Sequence, residues 1–220
     1  MQDRTHVADL VERWIEGWTV SRGAADAVRE PWGWTIDVGL AHEVTRHLLP
    51  EPTEAEVSKI AAATRAPGIW LKLFADAGQV RPWLAPGWEV DQQVYLMTTP
   101  LDSAAPPGWA PERAPQGYVV SSWTRGDVAR VLVRTEDGAF AARGQAGIAG
   151  STAVPDQIST APEHRRRGLG ALVMRTLQHA ARESGARAGV LVASQEGREL
   201  YRALGWTECS PMTSVVHRPR

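Results

Sequence analysis

The chain has 220 residues, with 24 Lys and Arg against 25 Asp and Glu and a formal net charge of −1. That length can bury a sizeable core, and the balanced charge gives no overall electrostatic case for nucleic acid. A single cysteine, Cys209, excludes an intrachain disulfide, and the six histidines show no Cys/His ligand spacing, so no metal is expected. The opening Met-Gln-Asp-Arg-Thr-His lacks an apolar signal core and nothing reaches membrane-spanning length, which predicts a soluble, cytoplasmic protein with no membrane partner.

Along the chain, Trp32-Gly-Trp-Thr-Ile-Asp-Val38 alternates as a strand does, and so does Val44-Thr-Arg-His-Leu-Leu49. His42 and His47 bracket that second run and read as ordinary strand residues. Pro52-Thr-Glu-Ala-Glu starts a helix through Ala63, with Thr53 as N-cap and Glu56 completing a capping box. Ile69-Trp-Leu-Lys-Leu-Phe74 and Gln93-Val-Tyr-Leu-Met-Thr98 are further strands. Eight of the ten tryptophans lie between Trp14 and Trp109; core and interface packing explains them more simply than a cation–π pocket. Asp102 to Gln116 carries four prolines and reads as a semi-extended linker. Tyr118–Trp123, Ala129–Arg134 and Ala139–Arg143 follow as strands, with turns at Arg125-Gly126 and Asp137-Gly138. Arg125-Gly-Asp-Val-Ala could instead begin a short helix.

The richest segment is Ile158-Ser-Thr-Ala-Pro-Glu-His-Arg-Arg-Arg-Gly-Leu-Gly170, an extended run leading through arginines and glycines into a helix from Ala171. Gly168 and Gly170 let backbone N–H groups approach a ligand closely. The first turn of a helix adds unpaired donors and the positive end of its dipole. With Arg165 to Arg167 beside them, these features predict a diphosphate. A P-loop would need Lys and a hydroxyl residue after Gly170, and a dinucleotide fingerprint a third glycine; neither is present. Arg165-x-x-Gly168-x-Gly170 instead resembles the coenzyme A loop of the GNAT superfamily of acyl-CoA-dependent N-acyltransferases. Downstream, strand Ala186–Ser194 leads to Tyr201-x-x-x-Gly205-Trp206, which is similar to that family's Tyr-x-x-x-Gly-Phe element. The resemblance spans roughly residues 117 to 217, under half of the chain.

The resemblance implies an α/β fold with a mixed, mostly antiparallel sheet flanked by helices. It implies N-acetyl transfer from acetyl-CoA to a primary amine on a small molecule or peptide, by direct attack. Arg165, Arg166, Arg167, Gly168, Leu169, Gly170 and Ala171 would hold the pyrophosphate of coenzyme A. Backbone groups of Ile158, Ser159 and Thr160 would pair with the pantetheine arm, and Ser194 would lie near the coenzyme or simply cap the next helix. Tyr201 is the expected acid for the leaving sulfur: a phenol's pKa of about 10 lies near that of a thiol, so it stays protonated at neutrality. The competing use of Tyr201 is packing against Trp206 and Leu200. Asp156 is the candidate base, although a solvent-exposed turn carboxylate in Val154-Pro-Asp-Gln explains it better; Pro155 marks an edge or bulge. Glu163 and His164 are poor bases. A non-catalytic acyl-CoA sensor on the same fold is the alternative, and tryptophan-rich surfaces would favour a homodimer.

The first half parallels the second. Helix 54–64, strand 69–74 and Trp83-Leu-Ala-Pro-Gly-Trp88 follow the order of helix 170–183, strand 189–193 and Tyr201-Arg-Ala-Leu-Gly-Trp206. Trp83 stands where Tyr201 does, and Leu49-Pro-Glu-Pro-Thr-Glu-Ala replaces the arginine loop with carboxylates that would repel a diphosphate. A degenerate tandem copy and chance likeness explain this equally. The expected division is 1–101, a linker at 102–116, and an acetyltransferase domain at 117–220.

Overall fold

A computed structural model describes residues 4–101 and 114–218; most of the proline-rich segment, Trp109 included, lies outside them. Helix α1 (Arg4–Arg22) opens the chain. Leu10, Val11, Trp14, Ile15 and Trp18 recur at helical spacing and are all buried. Strands β1 (Val28–Glu30), β2 (Gly33–Leu40) and β3 (Glu43–Leu49) form a meander, and His42 sits in the β2–β3 turn, not in a strand. Then come α2 (Glu54–Ala63), β4 (Ile69–Leu73), the short α3 (Ala77–Val80) and β5 (Trp88–Pro100). The second half runs β6 (Tyr118–Arg125), β7 (Val128–Thr135), β8 (Phe140–Ala149) and β9 (Thr152–Thr160). It closes with α4 (Leu169–Glu183), β10 (Ala188–Ala193), α5 (Gln195–Ala203) and β11 (Thr207–His217). Arg125 pairs with Val128 across a tight turn, so that segment is a hairpin and not a helix.

All eleven strands join one sheet in the order β1-β2-β3-β4-β11-β5-β10-β9-β8-β7-β6. Apart from the extra edge strand β6, the order is symmetric about the antiparallel β11–β5 pair. On one side lie β4 and β3, parallel and linked by α2; on the other lie β10 and β9, parallel and linked by α4. A parallel connection needs such a crossover, and a helix supplies it. The last strand of each half crosses the centre line: β5 pairs with β10, and β11 with β4. The remaining neighbours pair antiparallel, giving a mixed, mostly antiparallel sheet flanked by helices.

The second half of the sheet is covered on both faces. Gly144 of β8 faces Val173 and Leu177 of α4, whereas Gly147, three residues on, faces α1. A Cβ on Gly147 would stand 2.0 Å from the Gly17 carbonyl oxygen, so α1 lies directly on the strand backbone. Although it belongs to the first half, α1 therefore packs under the second, its Trp14 and Trp18 sharing a core with Val154 and Val190. Trp14, Trp18, Trp34, Trp88 and Trp206 are buried, which supports the packing reading for these five. Cys209 is a buried residue of β11. Among the described residues no helix is long and apolar enough to cross a membrane, and no three His, Cys, Asp or Glu converge as for a metal.

Candidate active site

The site begins where β9 and β10 part. Their parallel pairing is confined to Ala188↔Thr152 and Gly189↔Ala153. Two residues further on β9 carries Pro155, buried and without an N–H to offer a neighbour. Next comes a bulge: the register with β8 shifts between Gln145↔Asp156 and Arg143↔Ser159, and Gln157 takes a left-handed φ of 54°. The bulge bends β9 away, leaving the β10 side of Ile158, Ser159 and Thr160 without a strand partner. Thus Asp156 lies within a strand, and the expected exposed turn is absent.

The loop after β9 passes through a short turn at Pro162–His164, an extended Arg165, and Arg166 with φ of 62°. Gly168, φ 78°, is the N-cap of α4, a conformation that other residues adopt only with strain. The helix begins at Leu169, two residues before the expected Ala171, and no side chain caps it. Its first turn is closed by Leu172 N–H donating to the Gly168 carbonyl (3.0 Å). The amides of Leu169, Gly170 and Ala171 are thus available to an anion. By contrast, α2, α3 and α5 are capped by Thr53, Asp76 and Ser194. A Cβ on Gly170 would lie 3.0 Å from Leu200 Cδ2 and 4.0 Å from Thr160 Oγ1. The loop, the end of β9 and α5 therefore share one neighbourhood. Arg165 and Arg166 are exposed. Arg167 is engaged, donating to the Tyr118 hydroxyl (3.0 Å), which also bonds His164 Nδ1 (3.0 Å).

On α5, Ser194 accepts from Gly197 N–H (3.1 Å) as the helix cap. Tyr201 is 8% exposed, tilted against Trp206 with centroids 6.1 Å apart, and in one cluster with Ile158, Met174 and Leu191. Burial, and then the charge of Asp156, push its phenol up to about 12. It stays protonated, but it is a poorer match to a thiol than an exposed phenol would be. Asp156 is gripped by α1: Arg22 Nε and Nη2 both donate to its carboxylate, the latter at 3.0 Å, with Ser21 Oγ at 3.4 Å. Arg22 and Ser21 escaped the sequence reading because 134 and 135 residues separate them from Asp156 and no local motif announces the pair.

The matching place in the first half differs at each point. β3 and β4 stay paired from Thr45↔Ile69 to Leu49↔Leu73, so no cleft opens. Thr53 accepts from Glu56 N–H (3.3 Å) and its hydroxyl donates to the Glu56 carboxylate (2.8 Å), closing the start of α2 beside Glu54. The same region buries Lys72 and Arg46 around Glu43, with Lys72 Nζ 3.6 Å and Arg46 Nη2 2.5 Å from Glu43 Oε1.

Residues 127–208 match the Acetyltransferase (GNAT) domain model. Among solved structures, a GCN5-related N-acetyltransferase from Kribbella flavida is 18% identical, covering 99% of this chain and 96% of that one, with TM-score 0.64. An acetyltransferase of the GNAT family from Novosphingobium aromaticivorans is 17% identical, covering 96% and 99%, with TM-score 0.59. A tandem GNAT protein from the clavulanic acid biosynthesis pathway is 15% identical over 74% of this chain and 68% of that one, with TM-score 0.53. No curated protein matches the chain in sequence.

Proposed function

We propose that this chain, a member of the GNAT acetyltransferase superfamily through residues 127–208, transfers an acetyl group from acetyl-CoA to the primary amine of a small molecule or peptide. The observation that carries this reading is the open β9–β10 pair, ending on the one capless helix start among α2 to α5. Amides of Leu169, Gly170 and Ala171, with Arg165 and Arg166, would hold the pyrophosphate. Free backbone groups of Ile158 to Thr160 would take the pantetheine amides as an added strand would. The amine nitrogen attacks the thioester carbon, the C–S bond breaks, and Tyr201 donates a hydrogen bond and then its proton to the sulfur. Asp156 draws the ammonium in and accepts its first proton, directly or through one water; the second N–H proton, released as the amide forms, returns to the Tyr201 phenolate through water. Once protonated, Asp156 no longer raises the Tyr201 pKa, so the acid strengthens as the thiolate forms.

The Arg22 fork on Asp156 favours a second reading, a non-catalytic acyl-CoA sensor, because both carboxylate oxygens already accept from the guanidinium and leave less room for an incoming ammonium. Calorimetry with acetyl-CoA and thiol release with an amine panel separate the two. Wild type should bind and turn over, and Gly168→Glu should lose binding. Tyr201→Phe should bind normally and turn over roughly 100-fold more slowly. Binding with no turnover of any amine would favour the sensor; no binding would end both.

A further inference from the structure

On the α1 face of the sheet, beside the bulge in β9, a cavity of ≈ 230 Å³ opens to solvent. Its walls include Trp123 of β6, Arg130 and Leu132 of β7, Arg143 and Gln145 of β8, and Gln157 at the bulge itself. Register sets Trp123 opposite Arg130 and Arg130 opposite Gln145, so these three share one face. That face is the one α1 caps, because Gln145 Nε2 donates to the Ser21 carbonyl (2.6 Å) and hydroxyl (2.9 Å). Two of its walls adjoin Asp156 without including it: Gln145 is its register partner across β8–β9, and Gln157 is the next residue along β9.

Its chemistry is one-sided. Two guanidiniums line it and no carboxylate does. Arg130 has no ion-pair or hydrogen-bond partner among the described residues. Arg143 donates only to the neutral Gln157 Oε1 (3.1 Å). Elsewhere Arg22, Arg46, Arg198 and Arg218 are each matched to a carboxylate. Trp123 adds an indole that is 45% exposed, far more than any of the buried tryptophans. The volume falls below the roughly 300 Å³ at which drug-sized pockets begin, which suits a small molecule.

We infer that this cavity selects the acceptor, and that the acceptor is an amine bearing a carboxylate and an apolar or aromatic group, an assignment that rests on the acyl-transfer reading above. The carboxylate lies between Arg130 and Arg143, the apolar group lies on Trp123, and the ammonium points along β9 toward Asp156. A zwitterion thereby meets the cavity charge for charge. Acceptors with the amine alone leave both guanidiniums unmatched.

Phenylalanine and phenethylamine share the amine and the ring and differ by the carboxylate, so they form the test pair. Each is titrated calorimetrically into the full chain, with and without saturating coenzyme A, and each is assayed for thiol release from acetyl-CoA. Phenylalanine should bind at least about tenfold more tightly and be acetylated with a correspondingly higher kcat/KM. The preference should fall toward unity in Arg130→Gln and Arg143→Gln, mainly through KM, and persist in Arg175→Gln on α4. Equal affinity for the two amines, or binding of neither, overturns the inference. Failure of coenzyme A to bind sinks the donor reading instead, and the titrations without coenzyme still read the cavity on its own.

Discussion

Trp206 closes the floor of the second half, and its indole N–H is buried without an acceptor among the described residues. The tip of the same ring fills the space over Gly189, where a Cβ would stand 2.6 Å from Trp206 Cη2. Gly189→Ala should therefore cost about 2 kcal/mol by overpacking. Trp206→Phe removes an unsatisfied donor along with ring area and should stay within about 1 kcal/mol of wild type. Combined, the two should cost less than their sum; urea denaturation of the four proteins measures that coupling. Lys72 makes a second residue-scale prediction. Burial, reinforced by Arg46 and opposed by Glu43, lowers its ammonium to about 8 from 10.5. Between those pH values the unfolded chain holds a proton that the folded chain lacks, so stability rises with pH across that window, by up to about 3 kcal/mol. Lys72→Met leaves Glu43 paired with Arg46 and should lose this rise, as melting at pH 7.5 and 10.5 would show. What could be read from single residues was local chemistry: the caps Thr53 and Ser194, and the two glycines of the loop. The Arg22–Asp156 pair could not be read, because only the packing of α1 against β9 brings the two together.

Helix starts are where elements announce their purpose. Three of the four helices from α2 to α5 spend a side chain on their first turn, and α4 does not. Thr53→Ala should cost about 1 kcal/mol of stability by thermal denaturation, with coenzyme affinity intact. Gly168→Ala should keep the fold yet strain the loop, at about 1 kcal/mol, and weaken coenzyme binding. Both elements were legible because a turn chemistry and a helical period coincide there. α1 carries no such start signal although its apolar residues recur at helical spacing: Arg4, Thr5 and His6 precede Val7 with no cap signature, and its tryptophans read as part of a chain-wide set. Its docking also depends on a contact no sequence pattern encodes, Gly17 on Gly147. Gly147→Ala should cost at least about 2 kcal/mol and, by shifting α1, loosen Arg22 from Asp156.

At the scale of the molecule, the symmetry of the sheet supports the tandem reading far better than the three sequence segments that first suggested it. Outward from the β11–β5 pair, β4, β3, β2 and β1 match β10, β9, β8 and β7, each parallel pair carrying its helix, and only β6 lacks a counterpart. We propose that the two halves are copies, the first closed to a ligand by a fully paired β3–β4 and a capped α2, the second open. The strand exchange was invisible beforehand, since nothing in β5 or β11 says which half it will join. A linear division at the proline-rich segment would part β5 from both of its neighbours, β10 and β11. Residues 117–220 expressed alone should therefore be insoluble or molten, judged by near-ultraviolet dichroism.

The same exchange makes the covalent join at residues 102–113 dispensable once the sheet has formed. Each piece grips the other through a strand seated in its neighbour's ladder, as two hands interlock by one finger each. A protein nicked there, or assembled from two co-expressed polypeptides, should stay together on a sizing column and keep its affinity for coenzyme A.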